Sequence, residues 1–173
     1  MKLAPEHDVP VPYMLRTRDY YRALGFDTPY RWAHYEEVPF APLSKPLAQS
    51  RLALITTAAP YRPDAGNQEP GAPYNAAAKF YTMYTDSTDS APDLRISHVG
   101  YDRAHTHARD PNTWFPLARL REAVKAGRLG GLTPRFYGSP TNRSQRVTIE
   151  RDAPALLEAC RADAADVALL VPT

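Results

Sequence analysis

The chain has 173 residues, 43% of them hydrophobic and 23% charged, with a formal net charge of +2. That length suits one substantial core and is short for two. Its scattered Lys and Arg exclude the clustered basic face of a nucleic-acid binder, and no stretch approaches the ~20 apolar residues of a membrane-spanning helix.

The opening Met1-Lys2-Leu3-Ala4-Pro5-Glu6-His7-Asp8 lacks the apolar core of a secretory signal, so a cytoplasmic location is expected. Residues 1–12 carry Pro5, Pro10 and Pro12 and should be irregular. Tyr13 to Leu24 contains no helix breaker. Tyr13, Tyr20, Tyr21 and Leu24 can share one face there, and Gly25 stops the helix. Residues 26–50 form a Pro-punctuated arm bearing Tyr30, Trp32, Tyr35 and Phe40. With 18 prolines and 11 tyrosines overall, such an arm is expected to wrap on another surface, a second subunit being one candidate.

Arg51-Leu52-Ala53-Leu54-Ile55-Thr56-Thr57 is the first convincing strand. Residues 59–78, rich in Ala, Pro, Gly and Asn, read as a long loop. Lys79 to Thr85 has strand composition, Asp86 to Asp93 is turn-like, and Leu94 to Asn112 reads as polar loop. Leu117, Leu120 and Val124 make the stripe of an amphipathic helix that starts after Pro116 and ends at Gly127. Gly130-Gly131 reads as a turn, and a short strand is expected around Arg135-Phe136-Tyr137. A second helix spans roughly Ile149 to Ala164, with Pro154 in its first turns. Cys160 rides on it as a small buried apolar residue; a lone cysteine excludes an intramolecular disulfide and a Cys-based zinc cluster. The uncharged run Val167-Ala168-Leu169-Leu170-Val171 then predicts a central strand covered on both faces.

Strands alternating with helices imply an α/β architecture, a mostly parallel sheet flanked by helices, with a Pro-rich N-terminal arm. The division expected is residues 1–50, helix and arm, and residues 51–173, an α/β domain that breaks off at its last strand. In such sheets ligands bind beyond the carboxyl ends of the strands, so the final strand stops where a functional loop should begin. A mid-sheet strand with no following helix also predicts poor solubility of this chain alone.

Asp93-Leu94-Arg95-Ile96-Ser97-His98-Val99-Gly100-Tyr101-Asp102 is the densest cluster of reactive side chains. Arg95 can hold a carboxylate through a bidentate fork. His98 and Tyr101 can donate or relay protons, and Asp102 can orient either one. A polar loop bonded to its own backbone is an equally good account of the cluster. His98, Asp102, His105 and His107 could also serve zinc or non-haem iron, but a pattern this short is common by chance, and no metal site is assigned.

Several runs taken together are more specific: Arg31-Trp32-Ala33-His34; Pro42-Leu43-Ser44-Lys45-Pro46-Leu47-Ala48-Gln49-Ser50 leading into Arg51 to Ala58; and Asp93 to His98 with Tyr101-Asp102. Asp110-Pro111-Asn112, Phe115-Pro116-Leu117, Arg119-Leu120 and the closing Ala165 to Thr173 follow in order. From about Tyr13 onward the chain resembles the selenoprotein B subunits of the glycine, sarcosine, betaine and D-proline reductases. In that family the apolar strand and its Val-Pro pair precede a selenocysteine or cysteine, then Pro, one further residue, and Cys. Here that motif would begin after Thr173. The expectation is a reading frame stopped at a UGA codon that encodes selenocysteine; a plain truncation or a separately encoded C-terminal piece would look the same. A double stop with no in-frame Pro-x-Cys beyond codon 173 would remove it.

The resemblance implies an oxidoreductase subunit that reductively cleaves the C–N bond of an amino-acid-type substrate. A selenolate or thiolate, anionic at neutral pH, attacks the α-carbon of a substrate held on a pyruvoyl group of a partner subunit. A neighbouring thiol resolves the product, and a thioredoxin-like or other dithiol reductant restores it. No cofactor is expected on this chain itself. Arg95 would take the substrate carboxylate and His98 would deliver a proton to the leaving amine, with Tyr101 and Asp102 supporting that loop. Two alternatives stand beside this: a redox-inactive partner subunit, and a metal-dependent hydrolase or lyase built on the histidines. Neither nucleic acid nor membrane is an expected partner.

Overall fold

The computed structural model describes residues 12–26, 28, 34–69, 78–96, 105, 108–140 and 144–173. The chain forms two compact units, residues 1–39 and 40–173. In the first, helix α1 (Tyr13–Ala23) forms where the unbroken run predicts it. Gly25, at φ 85°, takes the left-handed turn that ends it. None of its residues is buried: Tyr13, Tyr20 and Tyr21 stand exposed, as does Leu24 at its C-terminal cap.

The second unit is built around β1 (Arg51–Thr56), which follows a single 3₁₀ turn over Leu47–Gln49. Its even-numbered carbonyls face one neighbour and its odd-numbered carbonyls the other. On the even side lie β5 (Gly131–Leu132) and β6 (Arg135–Gly138), both parallel to β1 and stacked end to end along it. Thr133 stitches the break between them: its N–H donates to Leu52 O at 2.9 Å, and its hydroxyl donates to Arg135 O at 2.7 Å. On the odd side lies β7 (Val167–Val171), parallel and paired over its full length from Leu52↔Val167 to Thr56↔Val171. Asp166 fixes that register by accepting from Arg51 N at 2.7 Å while pairing with Lys45 at 2.8 Å. Beyond β6 lies β3 (Tyr84–Ser87), antiparallel to it. A separate ribbon pairs β2 (Ala59–Pro60) with β4 (Leu94–Arg95). The sheet is mixed but mostly parallel, as the alternation of elements predicts.

The alternation of side chains along β1 feeds two cores. Leu52 and Leu54 face helix α2 (Leu117–Lys125) and pack with Phe115, Leu117, Leu129 and Phe136. Ala53 and Ile55 face the opposite helical layer and pack with Tyr137, Leu156 and Cys160. That layer starts as α3 (Gln145–Val147), with Ser144 capping it through its side-chain oxygen. It widens into a π-helical turn over Thr148–Asp152 and continues as α4 (Ala153–Ala162), with Pro154, which has no N–H to give the preceding turn, directly after the widened segment. Cys160 is buried as expected, and burial, with Asp163 nearby, pushes its thiol above the ordinary range. No helix among the described residues is long and apolar enough to cross a membrane.

Four expectations need correction. The strand predicted over 79–85 lies at Tyr84–Ser87 instead, because β6 supplies the pairing edge there. Phe80 turns back to set its ring 5.0 Å from that of Tyr84. Gly131 opens β5 rather than closing a turn. The stretch 94–112 contains β4 and a 3₁₀ turn, Pro111–Thr113, whose first N–H groups Asp110 caps. Finally, β7 pairs only with β1 among the described residues, and only one of its faces is packed. Val167, Leu169 and Val171 sit against the α2-side core, whereas Ala168 and Leu170 are exposed because α4 lies over β1 and β6.

Candidate functional site

Three parallel strands deliver their carboxyl ends to one edge of the sheet: β1 at Thr56, β6 at Gly138 and β7 at Val171. The chain leaves β1 and β6 toward opposite faces, since α2 covers one side and α4 the other. Adjacent strands whose connections diverge in this way open a crevice beyond their ends.

Polar groups line that edge. Ser139 N donates to Thr56 O at 2.7 Å, closing β6 onto β1. Thr57 Oγ1 accepts from Thr173 N at 2.8 Å, and the two hydroxyls lie 3.0 Å apart. Thr57 thus holds the segment that follows β7 against the end of β1. Sequence reasoning singled out neither threonine, because a Thr closing a β-branched strand is unremarkable in composition.

Arg95 reaches the same edge by way of the ribbon. β2 begins at Ala59, three residues past Thr56 and so at most about 11 Å along the chain. Ala59 is in register with Arg95, and Tyr61 N donates to Asp93 O at 2.8 Å to continue the pairing. Arg95 lies on the wall of a cleft of about 300 Å³ whose other walls include Glu69, Asp93, Arg109, Trp114 and Phe115. Trp114 is fixed there by donating Nε1–H to Ala108 O at 3.1 Å.

The guanidinium of Arg95 is held on one side and under-used on the other. Nη1 pairs with the Asp93 carboxylate and donates to Leu94 O at 3.0 Å. The plane stacks on Tyr61, with its central carbon 4.6 Å from the ring centroid, an arrangement that restricts its rotation. Nε is buried and has no acceptor among the described residues. A buried charged N–H left without an acceptor costs on the order of 1–3 kcal/mol or more. The side chain is 22% exposed, whereas that of Asp93 is 59% exposed, so the internal counter-ion sits at the rim.

Of the residues the sequence nominates, Arg95 therefore stands in a cleft beside the β2–β4 ribbon. His98, Tyr101, Asp102 and His107 lie outside the described residues. Among the described residues no group of three or more His, Cys, Asp or Glu is placed to hold a metal ion. Tyr61, Arg109 and Trp114 were missed. The signal that could have found Tyr61 is the pairing of two short runs, 59–61 and 93–95, flanking a loop.

The chain is 30% identical over 118 residues to the sarcosine reductase complex component B subunit beta of Peptoclostridium acidaminophilum. That match covers 66% of this chain and 26% of the relative, so the chain spans about a quarter of the relative's length. No solved structure gives a significant match. A family model, described as glycine/sarcosine/betaine reductase selenoprotein B, matches residues 21–173. With that match running over β1, the ribbon that carries Arg95 and the last strand, the chain belongs to the glycine/sarcosine/betaine reductase selenoprotein B family.

Proposed function

We propose that this chain supplies the carboxylate-binding part of a multisubunit reductase that cleaves the C–N bond of an amino-acid-type substrate. The observation that carries the reading is Arg95: a guanidinium clamped by Asp93, Leu94 O and Tyr61 on the wall of a cleft beside the β2–β4 ribbon. The relative's name, a reductase complex component, and the family model point the same way.

In the proposed reaction the bond from the α-carbon to nitrogen breaks, and a dithiol supplies two electrons while two protons are taken up. The α-carbon gains one proton and the amine leaves with the other. Arg95 neutralises the substrate carboxylate through the whole sequence, and His98 is the proposed proton donor to the leaving amine, with Tyr101 and Asp102 supporting it. The attacking selenolate or thiolate belongs, in this reading, to the segment that follows the Thr57–Thr173 clasp. A pyruvoyl group on a partner subunit is the proposed means of holding the substrate amine.

Calorimetric titration of the chain with glycine, N-methylglycine and trimethylglycine tests the binding half. Arg95→Ala should abolish the heat of binding. Arg95→Lys should weaken it about tenfold, because a point charge replaces a fork. Binding unchanged by Arg95→Ala would overturn the assignment. The chemical half is tested in the reconstituted complex, where sustained amine release, beyond one equivalent per site, without a dithiol reductant would refute the reductase reading.

A further inference from the structure

The cleft that holds Arg95 carries a second charge, of opposite sign, that the protein itself does not use. Asp93 is committed to Arg95, whose Nη1 makes both of the guanidinium's hydrogen bonds among the described residues. Glu69 lines the same cleft, and its carboxylate makes no ion pair or side-chain hydrogen bond among the described residues. Arg109 shares the wall and is not paired with Glu69 either.

The local chain explains how Glu69 comes to this position. β2 runs on into Tyr61, whose ring stacks with the Arg95 guanidinium. Arg62 then opens a tight loop that closes at Gln68. Ala65 N donates to Arg62 O at 3.0 Å, and Gly66, at φ 76°, turns the chain back. The Gln68 side chain is buried and spent on the loop's own backbone: its Oε1 accepts from Arg62 N at 3.2 Å and its Nε2 donates to Gly66 O at 3.3 Å. Asn67 Oδ1 accepts from Glu69 N at 3.1 Å, an Asx turn that fixes the backbone from which Glu69 extends. The loop is thus tied through Arg62 to the residue that stacks with Arg95.

The four ionisable walls Arg95, Arg109, Asp93 and Glu69 sum to no net charge. Such a cleft favours a ligand that bears both signs over a simple anion. A carboxylate attracts a cationic nitrogen by charge alone, however many methyl groups that nitrogen carries.

We propose that Glu69 binds the cationic nitrogen of the ligand whose carboxylate Arg95 takes, so that the cleft selects zwitterions over carboxylates with a neutral tail. The inference deepens the Arg95 reading and rests on it. Glu69 meets the substrate while its nitrogen is still charged, before any bond to that nitrogen breaks.

Calorimetric titration with two ligands of one shape tests this: trimethylglycine, and the anion of tert-butylacetic acid, in which carbon replaces the charged nitrogen. The parent chain should prefer trimethylglycine. Glu69→Gln should weaken trimethylglycine about fivefold and leave the neutral-tailed isostere within about twofold. Glu158→Gln, which removes the same charge from an exposed position on α4, should move neither. Trimethylglycine affinity unchanged in Glu69→Gln, or both ligands weakened equally as a merely structural residue would weaken them, would overturn the proposal while leaving Arg95 its role. A Glu158→Gln effect equal to that of Glu69→Gln would overturn it in the same way. Binding of both ligands that survives Arg95→Ala, or a parent chain that binds neither, would overturn the two assignments together.

Discussion

One alanine and one glycine show how single backbone positions set this structure. α4 ends in a Schellman motif: Ala165 N donates to Cys160 O at 2.9 Å, and Ala164 N donates to Arg161 O at 3.0 Å. The motif needs a left-handed residue at Ala164, and Ala164 adopts φ 54°, where its Cβ is crowded. Ala164→Gly removes that crowding and should stabilise the unit by about 0.5–1 kcal/mol, read as a raised urea midpoint with unchanged slope. Gly138 presents the opposite case. It faces Tyr84 directly across β3 and β6, and a Cβ built there would come 1.8 Å from the tyrosine ring. The ring cannot swing away cheaply, because its hydroxyl donates to Ala58 O at 2.7 Å and its edge packs on Phe136. Burial, with Asp86 nearby, pushes the pKa of that phenol up, which keeps the donating hydroxyl in place at neutral pH. Gly138→Ala should therefore cost about 2–3 kcal/mol or more by overpacking. A loss below 0.5 kcal/mol in chemical denaturation would mean that the ring is mobile.

At the scale of elements, what was legible and what was not divide by the range of the interactions. α1, β1, α2 and β7 announce themselves through local pattern, an unbroken or periodic run closed by Gly25, Gly127 or Pro172. The two-residue strands do not. β5 exists because Gly131 N reaches Ser50 O, and β2 and β4 exist because each finds the other across a long loop. In the same way β3 sits where β6 is, and its Asp86 and Ser87 have the composition of a turn. The Arg95 fork could be nominated from residue chemistry, whereas its aromatic stack depends on a pairing that no local window contains.

One tertiary contact between elements makes a pH prediction. Arg135 at the start of β6 holds Asp163, past the end of α4, through two bonds of 2.9 and 3.0 Å. Tyr137 donates its hydroxyl to the same carboxylate at 2.6 Å. Chiefly the Arg135 contact, and then the Tyr137 bond, keep Asp163 ionised to a lower pH than an ordinary aspartate. The unfolded chain therefore binds this proton more readily, and stability rises with pH through that range. The contribution is complete above the ordinary carboxylate value of about 4 and disappears as pH falls through the lowered one. Asp163→Asn should flatten the acid limb of the stability curve below about pH 4. An acid limb identical to that of the parent chain would remove Asp163 from the account.

Across the whole of residues 40–173, β1 is the element on which both layers depend. It hydrogen-bonds to β5, β6 and β7, and its alternate residues supply both hydrophobic clusters. No surface separates the α2 side from the α4 side except this strand and its neighbours, so neither layer has a core of its own to fall back on. A truncation at the centre of β1 should accordingly be felt on both faces at once. Leu54 is fully buried, and Leu54→Ala leaves a cavity in the α2-side cluster, a change that should cost about 2–5 kcal/mol. Ile55, its neighbour, belongs to the α4-side cluster, and the backbone between them is shared. Amide exchange in α2 and in α4 should therefore accelerate together in the variant and report one common opening free energy, as a single cooperative unit requires. Acceleration confined to α2 would divide the sheet into two independently stable halves and take from β1 the role assigned to it.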